Sequence, residues 1–128
     1  GDKLMTDAKH RFSIAWPVVC QLATLMGVDT IQTGMMGRYS NDDPVELEQA
    51  LQVLRAGNTL PALSCGFHPG LVEKITGLAG NDYLANVGGA VHGHPGGTVA
   101  GARAMRQAID KTYGPEYDQA IAKWGLIK

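Results

Sequence analysis

The sequence predicts an α/β fold built from parallel strand–helix units, and three observations lead there. Short β-branched or apolar runs alternate with stretches of helical periodicity, in the order helix, three strand–helix pairs, helix. Glycine falls between these segments and not in a repeat, and its 17 residues are about twice the usual share of roughly 7%. The 128 residues, 45% hydrophobic and 18% charged, supply core for one domain without a polar linker between two halves.

Ile14, Val18, Leu22 and Leu25 recur at helical spacing, which predicts a helix from Ile14 to Met26. Pro17 is tolerated only near the first turn, and Gly27 is the stop. Val28 to Thr33 (VDTIQT) is a short strand that runs into the loop GMMGRYSNDD. Asp43, Pro44 and Glu46 form an N-cap, a first-turn proline and a capping-box partner. Leu47, Leu51 and Leu54 follow as one apolar face, and Gly57 ends that helix.

The pattern then repeats. TLPALS is the second strand, CGFHPG its loop, and Leu71 to Leu78 a short helix closed by Gly80. Tyr83 to Val87 is the third strand; it enters the glycine stretch GGAVHGHPGG, expected to be a loop. Thr98 to Tyr113 and Pro115 to Trp124 read as the last two helices. Three strands are too few to close a barrel, and a whole eight-stranded α/β barrel needs roughly 250 residues. The pattern therefore admits a small open α/β domain or the second half of a barrel.

Charge and composition narrow the function classes. A net charge of −1 with scattered Lys and Arg points away from nucleic acid and membrane surfaces as partners. Cys20 and Cys65 have no ligand spacing, so they are expected as free thiols in a reducing, cytoplasmic setting. No apolar run or charged leader marks a membrane span or secretory signal. A start at Gly1 without methionine is what a processed or excised piece would show.

Parallel α/β folds place chemistry beyond the carboxyl ends of their strands. Three loops qualify, offering Gln32, Thr33 and Arg38; Ser64, Gly66 and His68; and Gly88, Gly89, His92 and His94. Glycines between a strand and a helix let backbone amides approach an anion such as phosphate; the competing reading is close packing of strand on helix. No dinucleotide fingerprint or P-loop accompanies them, which points away from NAD and ATP. His92 and His94 share the spacing of a metal pair but lack a third ligand of set spacing, even if Asp82 or His68 is enlisted, so loop-shaping hydrogen bonds are favoured. His10, beside Lys9 and Arg11, is expected in solvent. Cys65 is expected as a small residue packed in a tight turn and not a nucleophile. Arg38 is equally a bidentate anion clamp or a solvated loop charge.

Three runs in order, VDTIQTGMMGRYSND, LSCGFH and NVGGAVHGHPGGTVAGARAMRQA, resemble the carboxyl-terminal half of the catalytic barrel of the RuBisCO large chain and its RuBisCO-like relatives. The likeness extends from about Phe12 to Asp110, and its most specific part is the glycine pair followed by G-H-P-x-G and a GAxAxR helix. It implies part of a (β/α)8 TIM barrel, about three βα units equivalent to strands six to eight plus flanking helices. Residues 1–128 would form a single unit, with the amino-terminal cap domain and the first barrel half outside it.

The resemblance implies that Gly66, Gly88 and Gly89 bind a substrate phosphate through their amides and that Ser64 contacts the sugar backbone. Gln32 stands where carboxylating members have a phosphate-holding histidine, and Arg38 where they have the mobile-loop lysine, in a loop one residue shorter. Thr33 lies between them as a candidate substrate contact. These departures imply a RuBisCO-like (form IV), non-carboxylating protein. It would enolise or isomerise a phosphorylated sugar derivative, such as a methylthio-sugar phosphate of methionine salvage, or act as a lyase on a branched sugar acid. The alternatives are a fragment of a true or bifunctional ribulose-bisphosphate carboxylase, a noncatalytic half-barrel that serves association, and, needing a further strand, a flavodoxin-like phosphate binder. Mg2+ is expected in the complete enzyme with its ligands outside this chain. The partners implied are a phosphorylated sugar-derived small molecule, the remaining barrel half and a second subunit in a homodimer. Alone, the chain is expected to bind phosphate weakly and to catalyse nothing.

Overall fold

The computed structural model describes residues 3–7, 9–37 and 43–128. A single turn of helix, α1 (Lys3–Thr6), precedes α2 (Trp16–Leu25). Pro17 sits in the first turn of α2, where its missing N–H costs no hydrogen bond, and this moves the start past Ile14. Then come β1 (Thr30–Gly34), α3 (Pro44–Ala56), β2 (Leu60–Leu63), a 3₁₀ turn (Pro69–Leu71) and α4 (Val72–Ala79). The chain continues with β3 (Leu84–Ala85), α5 (Gly88–His92), α6 (Gly97–Asp110) and α7 (Pro115–Trp124). Asp43 caps α3 by accepting the Val45 amide at 2.8 Å, with Pro44 in the first turn.

The strands form one parallel sheet in the order β1-β2-β3. Gln32 lies opposite Ala62, and Gly34 opposite Leu63 across a register shift; Leu63 in turn lies opposite Ala85. The third strand is shorter than the predicted Tyr83 to Val87, and Pro61 supplies the physical reason. The Leu60 and Ser64 amides donate toward the β1 side, and the Leu63 carbonyl accepts from Asn86 on the β3 side. Alternation therefore turns residue 61 toward β3, where proline has no N–H to extend the ladder downward.

The larger core joins Met35, Met36, Leu63 and Phe67 to Leu47 and Leu51 of α3, Leu71, Ile75 and Ala79 of the second unit, and Met105 and Ala108 of α6. A smaller one holds Cys20, Ala50 and Leu54 between α2 and α3. Leu47, Leu51 and Leu54 are thus buried as their spacing predicts.

The apolar face of α2 is exposed. Val18, Leu22 and Leu25 are 45%, 52% and 77% exposed, and Ile14 lies outside the helix and is exposed as well. Cys20, on another side of the helix, is what packs against α3. Periodicity reports that a helix has an apolar face, but among the described residues no element covers this one. A correction concerns GGAVHGHPGG, which is not all loop: its first five residues are α5. Gly101 of α6 permits this arrangement, since a Cβ there would fall 2.1 Å from the Val91 carbonyl oxygen. Among the described residues no helix is long and apolar enough to cross a membrane.

Candidate functional site

The carboxyl ends of the strands form one rim. Past the strands proper, the Ser64 amide donates to the Gly34 carbonyl at 3.2 Å and the Asn86 amide to the Leu63 carbonyl at 2.9 Å. These bonds hold the loops after β2 and β3 against the row Gly34–Leu63–Ala85. Ser64 Oγ donates to Gln32 Oε1 at 2.8 Å and lies 3.6 Å from Cys65 Sγ. Two candidate residues 32 positions apart are thereby joined. Gln32 is exposed, and its side-chain carbonyl is engaged as an acceptor.

Thr33 is not at the rim. It is 3% exposed, and its hydroxyl lies 3.5 Å from the Ala62 carbonyl that it donates to. Successive strand residues face opposite sides, so a β1 that turns Gln32 outward turns Thr33 inward. Arg38 lies outside the described residues.

After β2, Cys65 and Gly66 have φ values of +67° and +106°. Cys65 is exposed, which corrects its expected packing within the turn. Its left-handed backbone is a conformation that costs a non-glycine residue roughly 1–2 kcal/mol. Gly66 is exposed beside it.

Gly88 and Gly89 open α5, and both are exposed. Neither has positive φ, and a Cβ built on either meets no atom of the described residues within 4 Å. Within the described residues, backbone strain and close packing of strand on helix therefore both fail to account for glycine here. The remaining property is an uncovered pair of amides in the first turn of a helix, where N–H groups have no intrahelical acceptor.

The histidines are bound into the backbone. The Gly96 amide donates to His94 Nδ1 at 3.0 Å, and His94 Nε2–H donates to the Glu116 carbonyl at 2.9 Å. Both ring nitrogens of His94 are thus engaged by backbone groups, and the imidazole ties its own turn to the start of α7. His92 Nδ1 lies 3.2 Å from Thr98 Oγ1. His68 is buried, accepts the Gly70 amide at Nδ1 over 3.2 Å, and burial lowers its pKa below the ordinary 6.5. Among the described residues no group of three His, Cys, Asp or Glu is placed to hold a metal ion. The part played by α7 is not evident from its own sequence. The available signal is the tripeptide His-Pro-Gly, which occurs at both 68–70 and 94–96.

Comparison with known proteins agrees with this architecture. Residues 46–125 match the ribulose bisphosphate carboxylase large chain, catalytic domain. The chain is 33% identical to ribulose bisphosphate carboxylase of Pyrococcus furiosus, over 95% of this chain and 32% of the relative. It is 35% identical to 2,3-diketo-5-methylthiopentyl-1-phosphate enolase of Exiguobacterium sibiricum, over 94% of this chain and 35% of the relative. The crystal structure of a rubisco-like protein from Alicyclobacillus acidocaldarius superposes with a TM-score of 0.78 at 33% identity, covering 96% of this chain and 35% of that one. The chain spans about one third of the length of these relatives. With its three parallel βα units it is part of a barrel of this kind, and it belongs to the RuBisCO large-chain family, within the catalytic domain.

Proposed function

We propose that this chain is the phosphate-binding portion of a RuBisCO-like enzyme that enolises or isomerises a phosphorylated sugar derivative, such as a methylthio-sugar phosphate, without fixing CO2. The observation that carries the reading is the exposed pair Gly88 and Gly89, which no backbone conformation or packing among the described residues requires to be glycine. Gly66 follows the neighbouring strand in the same rim, so its amide and the glycine pair are the donors for one phosphate. Ser64, two residues before Gly66 and hydrogen-bonded to Gln32, would contact the sugar backbone.

Gln32 supports a monophosphate. A neutral amide whose carbonyl already accepts a hydrogen bond adds no positive charge for a second phosphate. Arg38 keeps a cation in the first loop, but as a planar fork and not a point ammonium. Mg2+, with its ligands outside this chain, belongs to the complete enzyme in this reading. What these residues contribute is anchoring: a fixed phosphate orients the reacting carbonyl end of the substrate toward groups outside this chain.

The test supplies the complete protein with 2,3-diketo-5-methylthiopentyl-1-phosphate and, separately, with ribulose bisphosphate and labelled CO2. Turnover of the first without label incorporation from the second is expected; label incorporation would return the protein to the carboxylases.

The exposed face of α2 favours one further point about assembly. Val18, Leu22 and Leu25, with Met26 beyond them at 81% exposure, form the surface that the remaining barrel half would cover. A homodimer of the completed barrel in the cytoplasm is the form proposed for the enzyme.

A further inference from the structure

Two turns in this chain have the same sequence and the same hydrogen bond. In His68-Pro69-Gly70 and His94-Pro95-Gly96 the glycine amide donates to the Nδ1 of the histidine two residues earlier, at 3.2 and 3.0 Å. Each turn closely follows a glycine element of the proposed phosphate site, Gly66 in one case and α5 with Gly88 and Gly89 in the other.

Both imidazoles meet the same side chain. His68 stacks on Trp124 with ring centroids 6.0 Å apart and planes 21° from parallel, and His94 approaches at 6.2 Å and 57°. The residues around Trp124 reinforce this. Lys123 Nζ donates to the Gly93 carbonyl, and the Ile127 amide donates to the Gly70 carbonyl at 3.0 Å. The fit at Gly70 leaves no room for a side chain, since a Cβ would lie 2.0 Å from the Gly125 carbonyl oxygen.

We infer that Trp124 is a positioning residue: through His68 and His94 it holds the Gly66 loop and the Gly88–Gly89 turn in register for a single phosphate. This rests on the phosphate reading above. The two glycine elements belong to different βα units, and a shift of about 1 Å between them would separate donors that must converge on one anion. Trp124 itself does not touch the substrate.

Amide hydrogen exchange at Gly70 and Gly96, together with titration of inorganic phosphate followed at the Gly66, Gly88 and Gly89 amides, tests this in the full chain. Trp124→Ala should accelerate exchange in both turns by ~10-fold or more and weaken phosphate binding, while Trp124→Phe restores much of each. His68→Gln alters one turn directly and should accelerate Gly96 in the other. The positioning role is overturned by acceleration in one turn or neither in Trp124→Ala, or by unchanged exchange at Gly96 in His68→Gln. Should Trp124→Ala unfold the chain, His68→Gln decides alone. Phosphate bound equally tightly by a folded Trp124→Ala overturns the positioning role and spares the phosphate reading. Phosphate that shifts none of the three glycine amides in the unaltered protein overturns that reading and, with it, the role given to Trp124.

Discussion

Gly88 and Gly89 carry a hydrogen where a Cβ would fit without touching any atom of the described residues. Because they lie in a helix at ordinary φ, Gly88→Ala and Gly89→Ala should raise stability by about 0.5–1 kcal/mol, measurable by urea denaturation. The same substitutions should weaken phosphate binding in the complete enzyme and raise its KM. Opposite signs in the two measurements separate a ligand role from a structural one, and unchanged KM would sink the assignment. Cys65 is the reverse case, a residue whose φ of +67° suits glycine. Cys65→Gly should raise stability by up to about 1 kcal/mol, the relieved left-handed cost being partly offset by glycine's greater loss of backbone entropy, with the gain read as a higher denaturation midpoint. His68 adds a pH dependence. Burial lowers its pKa in the folded chain below the ordinary 6.5, so between the two values the unfolded state binds more protons. Stability contributed by neutral His68 is present above pH ~6.5 and is lost as the pH falls below it. Thermal unfolding at a series of pH values should show this slope, flattened in His68→Gln.

At the scale of elements, α3 is the one whose sequence states its structure most fully. The cap, the first-turn proline and the leucine face all stand where their chemistry places them, since each depends only on residues within four positions. Asp43→Ala should cost about 1 kcal/mol. Leu54→Ala, which empties a site that is fully buried in the smaller core, should cost about 2–5 kcal/mol. Leu25→Ala in α2 should change stability by less than about 0.5 kcal/mol, although both leucines belong to apolar series at helical spacing. Urea denaturation of the three variants checks all of these, and a large loss in Leu25→Ala would mean that the α2 face is covered in solution. The short β3 and the helical start of GGAVHGHPGG were hidden for a different reason. One depends on a missing N–H in the neighbouring strand, the other on α5 crossing α6 at Gly101.

For the molecule as a whole, the uncovered α2 face predicts association. Light scattering after size exclusion should find the chain self-associated or bound to the rest of its barrel, and Leu22→Lys with Leu25→Lys should reduce that association. A clean monomer from the unaltered chain would contradict the half-barrel picture. By itself the sequence determined the α/β class, the order of elements, the parallel strand–helix repeat and the three loops that bear the candidate site. These follow from local periodicity, capping and glycine placement, which short windows record. Three matters only the tertiary structure decided. Thr33 turns away from the rim while Gln32 and Ser64 join across it, because pairing register sets which side each residue faces. The α2 face lies open, because burial belongs to a pair of elements and not to one. Trp124 meets His68 and His94 because α7 folds back across two turns that are 26 residues apart, a contact no local pattern records.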